Sequence, residues 1–170
     1  MGSDGLPSRE EVVAAATIES LGGGVVWSFG PAWIFRLTGN DYFASVIQVE
    51  LDRTKVTDAQ VENLTPFDQL EALFVEDTQL THAGLVHLMG SSQLQGLWLC
   101  RTNVTDADLK HLKGLTQLMK LRLLSLCETK VTDAGMKDLV GLTRLQELAL
   151  DGSQVTDAGL EHLAGVSHLQ

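Results

Sequence analysis

Apolar and polar residues alternate in five short segments spread along the chain. A period of two predicts a strand with one buried face. Apolar residues at helical spacing follow these segments, as at Leu109 and Leu112. The pattern therefore predicts a strand and a short helix, repeated along the chain. The alternating segments are Val49-Glu50-Leu51, Leu73-Phe74-Val75, Leu97-Trp98-Leu99, Leu124-Ser125-Leu126 and Leu148-Ala149-Leu150.

The segments after the strands are closely similar to one another. They are TKVTDAQVENL, TQLTHAGLVHL, TNVTDADLKHL, TKVTDAGMKDL and SQVTDAGLEHL, at intervals of 24, 24, 27 and 24 residues. A strand and a helix repeated every ~20–29 residues is the signature of leucine-rich repeats. We therefore predict an α/β fold, a right-handed leucine-rich-repeat solenoid with parallel strands on its concave face and short helices on its convex face.

Threonine and aspartate recur where each helix should begin. Threonine caps the free amides of a first turn, and the helix dipole favours the aspartate that follows it. Another hydroxyl column, beginning at Thr54 and ending at Ser153, lies just after the strands. Leucine-rich repeats commonly place asparagine there to bond backbone groups between turns, and we expect the hydroxyls to play a similar structural role.

The third interval carries three extra residues within LMKLRLLSL. We expect them to bulge out just before the next strand or to lengthen it. A bulge of this kind is either a functional loop or a tolerated local duplication.

The chain divides into three parts. Residues 1–7 are predicted to be disordered or a vector-derived remnant. Residues 8–45 are an N-terminal capping region, because REEVVAAATIESL predicts a helix, Gly22–Gly24 end it, Val25–Trp27 suit an edge strand and Pro31 begins a second helix. Residues 46–170 hold about five leucine-rich repeats, the last incomplete. A longer array, or self-association through this uncapped end, would cover the exposed leucines.

Charge and composition narrow the partners. The net charge of −10 disfavours nucleic acid and anionic membranes, and it favours a neutral or basic protein partner. No apolar run approaches the ~18 residues of a membrane span, so no membrane insertion is expected. Two cysteines are too few for a disulfide framework, which slightly favours the cytoplasm. The alternative is the extracytoplasmic part of a membrane-anchored protein.

Catalytic chemistry has no counterpart in the sequence. There is no glycine-rich phosphate loop, nucleophile elbow or H-E-x-x-H motif. We therefore expect no enzyme, no cofactor and no metal. The column of His87, His111 and His162 is interpreted as a solvated helix face, since neighbouring helices lie ~8–10 Å apart. Cys100 and Cys127 should be neighbours, but ligands in a straight ladder seldom converge on a metal.

The outward-facing strand residues are the candidate site. One column holds an aromatic pair, Phe74 and Trp98, that would anchor a partner. Acidic residues beside the pair would attract a basic one. Two surface aromatics without a role are the alternative. The predicted partner-binding residues are Glu50, Asp52, Phe74, Glu76, Trp98, Cys100, Arg101, Ser125, Cys127 and Asp151.

These residues favour a non-catalytic protein-interaction module that binds through its concave strand face. The alternative is a structural spacer or scaffold segment of a larger repeat protein.

Several phrases resemble a known group of proteins. VTDAGL and TDAxLKHLKGLTQL resemble leucine-rich-repeat proteins of planctomycete-type bacteria, and so do the upstream stretches ATIESLGGGV and GPAWIFRLTGNDYFASVIQVEL. The likeness runs from about residue 9 to nearly the end of the chain. It implies the repeat fold and a cap, which in that group often follows a membrane-anchoring helix that this sequence lacks. A looser similarity runs to the ITDxGL repeats of F-box substrate receptors, but no F-box is recognisable here.

Overall fold

The computed structural model describes residues 7, 9–28, 45–62, 67–81, 83–84, 87, 92–113, 120–166 and 168–169. The helix predicted to begin at Pro31, and nearly all of segment 1–7, lie outside these ranges. Among the described residues, no helix combines the length and apolar character of a membrane span. The elements are α1 Arg9–Ser20, β1 Gly24–Ser28, β2 Ser45–Glu50, α2 Asp58–Val61, β3 Ala72–Phe74, β4 Gly96–Trp98, α3 Asp106–Lys113, β5 Leu123–Ser125, α4 Asp133–Leu139, β6 Glu147–Ala149 and α5 Asp157–Glu161.

The described strands form one six-stranded sheet in sequence order. β1 pairs antiparallel with β2, and every later strand pairs parallel with the strand of the next repeat. The sheet carries the α/β, parallel-strand character predicted from the repeats. Its register places equivalent repeat positions opposite one another, in a row formed by the buried residues Val49, Leu73, Leu97 and Leu124 and the partly buried Leu148.

The core lies on one side of the sheet and is mainly leucine and valine. Leu73, Leu97 and Leu124 are at most 1% exposed. Helix residues close it from the other side, among them Leu109 of α3 and Met136 of α4, both fully buried. Burial of apolar surface contributes about 25 cal/mol per Å², so this shared interior is the main source of stability.

The three-residue insertion does not lengthen a strand. β5 has three residues, as β4 and β6 do. The spacing from strand to helix start is eight residues both from Leu97 to Thr105 and from Leu124 to Thr132. The extra residues therefore fall between Thr105 and β5, a stretch whose positions 114–119 are outside the described residues.

A tight turn follows each strand and depends on the hydroxyl column. The Thr54, Thr78, Thr102 and Thr129 hydroxyls each donate to the carbonyl three residues upstream, at 2.6–2.7 Å. The expectation of a bond between repeats was therefore wrong for these hydroxyls. A short side chain that folds back onto its own backbone favours a local turn, and here it closes the strand-to-loop corner within one repeat.

The residue before each hydroxyl has left-handed backbone. This conformation costs a side chain about 1–2 kcal/mol. In the first four repeats this residue is not glycine, and its N–H donates to a carbonyl of the next repeat at 2.8–2.9 Å, which offsets that cost. The φ angles are 52–56° at Arg53, Asp77, Arg101 and Glu128, and 68° at the glycine in that column, Gly152.

Carboxylates at the helix starts join consecutive repeats. Asp106 accepts the Thr132 backbone N–H at 2.8 Å and the Thr132 hydroxyl at 2.7 Å. Asp133 accepts the same two groups of Thr156 at 2.6 and 2.8 Å. Asp58 holds Thr81 in this way too. Each aspartate thus satisfies free amides of the following helix as well as lying at a favourable point of its own helix dipole.

This clamp determines which residue stands third in the following helix. A Cβ at Gly84 or Gly135 would lie 2.6 Å from the Oδ1 atom of the preceding aspartate, Asp58 or Asp106. Such a distance is well inside contact, so only glycine fits beside a clamping carboxylate.

Where no aspartate precedes, the helix caps itself. His82 replaces the aspartate before Thr105, and Thr105 instead donates from its N–H and hydroxyl to Asp108, at 2.6 and 2.7 Å. Thr57, in the first repeat, bonds Gln60 in the same way at 2.8 and 3.1 Å. The third helical residue is therefore polar where it must cap and glycine where the neighbour caps.

The two capping arrangements should be interchangeable. Gly135→Gln alone should lower the free energy of unfolding by about 1–3 kcal/mol, because its Cβ meets Asp106. Asp106→Ala alone should cost about 1–2 kcal/mol through two lost hydrogen bonds to a charged group. The double variant should cost less than the sum by about 1 kcal/mol, since the introduced glutamine then caps Thr132 as Gln60 caps Thr57. Urea denaturation of the four proteins measures the coupling.

Asp157→Ala is the matched control, because this aspartate begins α5 and clamps no threonine of a following repeat within the described residues. It should cost only the dipole contribution, about 0.3–1 kcal/mol. Equal losses at Asp106 and Asp157, or additive effects in the double variant, would contradict the clamp.

Acid should weaken the junction between the last two repeats. The Thr156 N–H and hydroxyl stabilise the charged form and lower the pKa of Asp133 below its usual 3.8. Because the folded pKa is depressed, the stabilisation is complete above 3.8 and is lost as pH falls through the folded pKa. In Asp133→Asn, the free energy of unfolding should fall less steeply as the pH is lowered, and urea denaturation at several acidic pH values measures this slope.

Thr156→Ser keeps both donors and should retain the wild-type slope. Identical slopes for all three proteins would rule the mechanism out.

Candidate functional site

The face of the sheet opposite the core carries the predicted partner-binding residues. The register aligns Glu50, Phe74, Trp98, Ser125 and Ala149 across five parallel strands, as the repeat alignment predicts. The second predicted column follows two residues later, at the turns. The two columns therefore share one side of the molecule, although their binding role stays a prediction.

Phe74 and Trp98 form a stacked pair. Their ring centroids are 4.0 Å apart and their planes differ by 11°. The indole also lies against the sheet, because a Cβ at Gly96 would be 2.5 Å from its Cη2 and Cζ3 atoms. Both rings are half-buried. The pair is thus held on two sides and offers a rigid aromatic platform instead of two independent side chains.

A hollow of about 360 Å³ opens beside the indole. Small side chains at Ser125 and Ala149 leave this space, since both stand in the same row as the two aromatics. Trp98 forms one wall, and Glu147 is the acidic residue of its lining. The lining residues are Trp98, Leu123, Leu124, Ser125, Glu147, Leu148 and Ala149.

Sequence reasoning missed one outward row. Gly96, Leu123 and Glu147 pair across β4, β5 and β6, two positions before the aromatic row. Period two alone would have found them, because residues two apart in a strand share a face. The missed row matters, since Gly96 seats the indole and Glu147 brings a carboxylate to the hollow.

The two cysteines flank Ser125. Cys100 Sγ lies 2.8 Å from the Ser125 hydroxyl, which is 3.6 Å from Cys127 Sγ. Cys127 in turn reaches Asp151 Oδ2 at 3.7 Å. Both thiols are free, and burial raises the pKa of Cys100. Within the described residues no group of three or more histidine, cysteine or carboxylate side chains could hold a metal ion.

Exposure differs among the predicted binding residues. Cys100 and Ser125 are only 8% and 6% exposed, so they support the surface more than they offer contact area. Asp52 is exposed, but its Oδ1 accepts the Glu76 backbone N–H at 2.7 Å and so helps to align neighbouring repeats.

The remaining charges frame the aromatic platform. Glu50 accepts a hydrogen bond from Gln48 at 2.6 Å. Arg101 pairs with Glu128 at 3.3 Å, an exposed ion pair that contributes little to stability. Asp151 is exposed at the turn after β6. Acidic groups thus occur in the same row as the platform, at Glu50, and at the turns that follow the strands, with Arg101 the basic residue among the predicted contacts.

Comparison with known proteins supports the fold. No protein-family model matches the chain, and no curated protein sequence matches it. The structure is similar to that of an internalin from Listeria monocytogenes, with 23% identity and a TM-score of 0.57 over 72% of this chain. The chain spans 33% of that internalin. An internalin C2 from the same organism has 16% identity, with 98% of this chain and 96% of that one covered, but its TM-score of 0.31 carries no argument.

Internalins are leucine-rich-repeat proteins. The first of these likenesses therefore supports a leucine-rich-repeat fold for this chain, and at this identity it concerns the fold alone. It does not test the resemblance to the planctomycete-type group.

Proposed function

We propose that this chain is a non-catalytic protein-interaction module whose outward sheet face is the concave surface of a leucine-rich-repeat solenoid. The observation that carries the proposal is the stacked Phe74–Trp98 platform beside an open hollow. Its components come from consecutive repeats in register, so the face is continuous. In this proposal residues 46–170 form the repeat array and residues 8–45 its cap.

The platform has the physical character of a binding anchor. Rigid aromatic rings lose little conformational entropy on binding and often dominate interface energies. The hollow beside Trp98 would accept one aliphatic or cationic side chain of the partner, with Glu147 at its rim. The surrounding acids and the net charge of −10 favour a neutral or basic partner.

The ends of the array differ. On the first side, Ala14 and Ile18 of α1 join the core, which supports a capping role for that helix. On the other side, Leu148, Leu150 and Val155 are only partly buried. We propose that a further repeat or a second copy of the chain covers this side.

Removing the platform should strongly weaken partner binding. In Phe74→Ala/Trp98→Ala, the affinity for a protein captured by the wild-type chain should fall at least about thirtyfold, because a single hot-spot aromatic already contributes ~2 kcal/mol or more. Affinity capture from source cells followed by calorimetry with the captured protein measures this loss. Circular dichroism should show an unchanged fold, since neither ring belongs to the core.

Val140→Ala/Leu160→Ala is the control, because both residues are exposed apolar side chains on the helical side, 43% and 47% accessible. This variant should bind as the wild type does. If the aromatic variant keeps every partner, the interaction proposal fails and the structural-spacer alternative is favoured.

The two thiols should report on this face separately. Cys127 is half-buried, whereas Cys100 is buried with a raised pKa, so iodoacetamide should modify Cys100 about tenfold or more slowly. Mass spectrometry of the labelled peptides measures both rates. A bound partner should protect Cys127, and equal labelling of Cys127 with and without a partner would place the binding surface elsewhere.

A further inference from the structure

Basic residues cluster at the amino ends of the last strands, despite the acidic character of the whole chain. A buried leucine precedes each of the strands β3 to β6. The residue just before that leucine has an amide side chain in the first two of these repeats and a cationic side chain in the next two. These residues are Gln69, Gln93, Lys120 and Arg144, and His168 stands at the equivalent point after α5. Arg122 lies beside this column, one residue before β5.

Three of these side chains surround a second hollow. It measures about 310 Å³ and is lined by Arg122, Arg144, Gln146 and His168. That space has room for on the order of ten water molecules. No carboxylate is among the lining residues that the structure describes.

Arg122 is held in place without being neutralised. Its Nε and Nη2 donate to the Gln146 Oε1 atom at 3.0 and 2.8 Å. An amide oxygen orients a guanidinium group as a carboxylate does, but it cancels none of its charge. The backbone is equally defined, because the Arg122 carbonyl accepts the N–H groups of Gln146 and Glu147 at 2.8 and 3.0 Å.

We infer that this hollow, the Arg122–Arg144–His168 notch, binds a phosphate group. Guanidinium groups recognise oxyanions through parallel N–H donors. Two guanidinium charges match the roughly two negative charges of a phosphate monoester, whereas a carboxylate carries only one. The imidazole of His168, which also lines the hollow, adds a further donor. The site is separate from the aromatic platform and does not depend on the proposed function.

The phosphate could be free or carried as a monoester, so both forms serve as probes. The full chain is titrated with inorganic phosphate, O-phosphoserine and acetate at constant ionic strength, and the NMR signals of the Arg122 Nε–H and the His168 ring are followed. We expect saturable shifts with inorganic phosphate or O-phosphoserine, and weaker ones with acetate. The tighter of the first two probes identifies the form that the notch prefers.

Arg144→Gln should weaken that binding about three- to tenfold, the range for a charged hydrogen bond at an exposed site. Arg144 is exposed, so the fold should persist. Lys55→Gln removes the same charge at an exposed position outside the notch and should leave binding unchanged. Absence of saturation with both phosphate probes, acetate binding as tight as theirs, or equal losses in the two variants would overturn the inference.

Discussion

The parallel backbone ladder between consecutive repeats is the constraint on which the rest of the structure depends. Each of the strands β3 to β6 contributes only three residues, yet its hydrogen bonds place every position of one repeat opposite the same position of the next. A slip of one residue would move the leucines from the core to the solvent. The leucine row and the left-handed turns, whose N–H groups extend the ladder, therefore specify a single register.

That register makes a surface out of residues distant in sequence. Phe74 and Trp98 are 24 residues apart along the chain but stack at 4.0 Å. Small residues in the next two repeats leave the hollow, and the preceding outward row seats the indole on Gly96. A change of side-chain size along one row is therefore enough to produce a hollow on an otherwise flat sheet.

Charge follows the same geometry, because carboxylates are frequent where the parallel strands end and cations are frequent where the last strands begin. A net charge for the whole chain averages over both edges and hides the basic notch.

Much of this architecture could be predicted from the sequence, because period two and the repeat length are strong signals. The strand rows and the neighbouring positions of Phe74 and Trp98 followed directly from them. The bond made by Thr54 and its equivalents was placed wrongly, since a hydroxyl is too short to act as asparagine does between turns. The aspartate clamp was missed because its partner lies one repeat further on. Its trace was present nonetheless, in the polar residues Gln60 and Asp108 that stand where other repeats have glycine.

The clamp also bears on how such an array could grow or be shuffled. The clamp consists of the aspartate of one repeat and the threonine and glycine of the next. A single repeat therefore does not carry the whole clamp, and two neighbouring repeats must match each other at their junction. The unit with His82 can precede only a neighbour that supplies its own cap, as Asp108 does. A new pair of neighbours is therefore compatible only where an aspartate meets a threonine and glycine of the next repeat, or where that next repeat supplies its own cap. Alignments that score each repeat alone would overlook this dependence between neighbours.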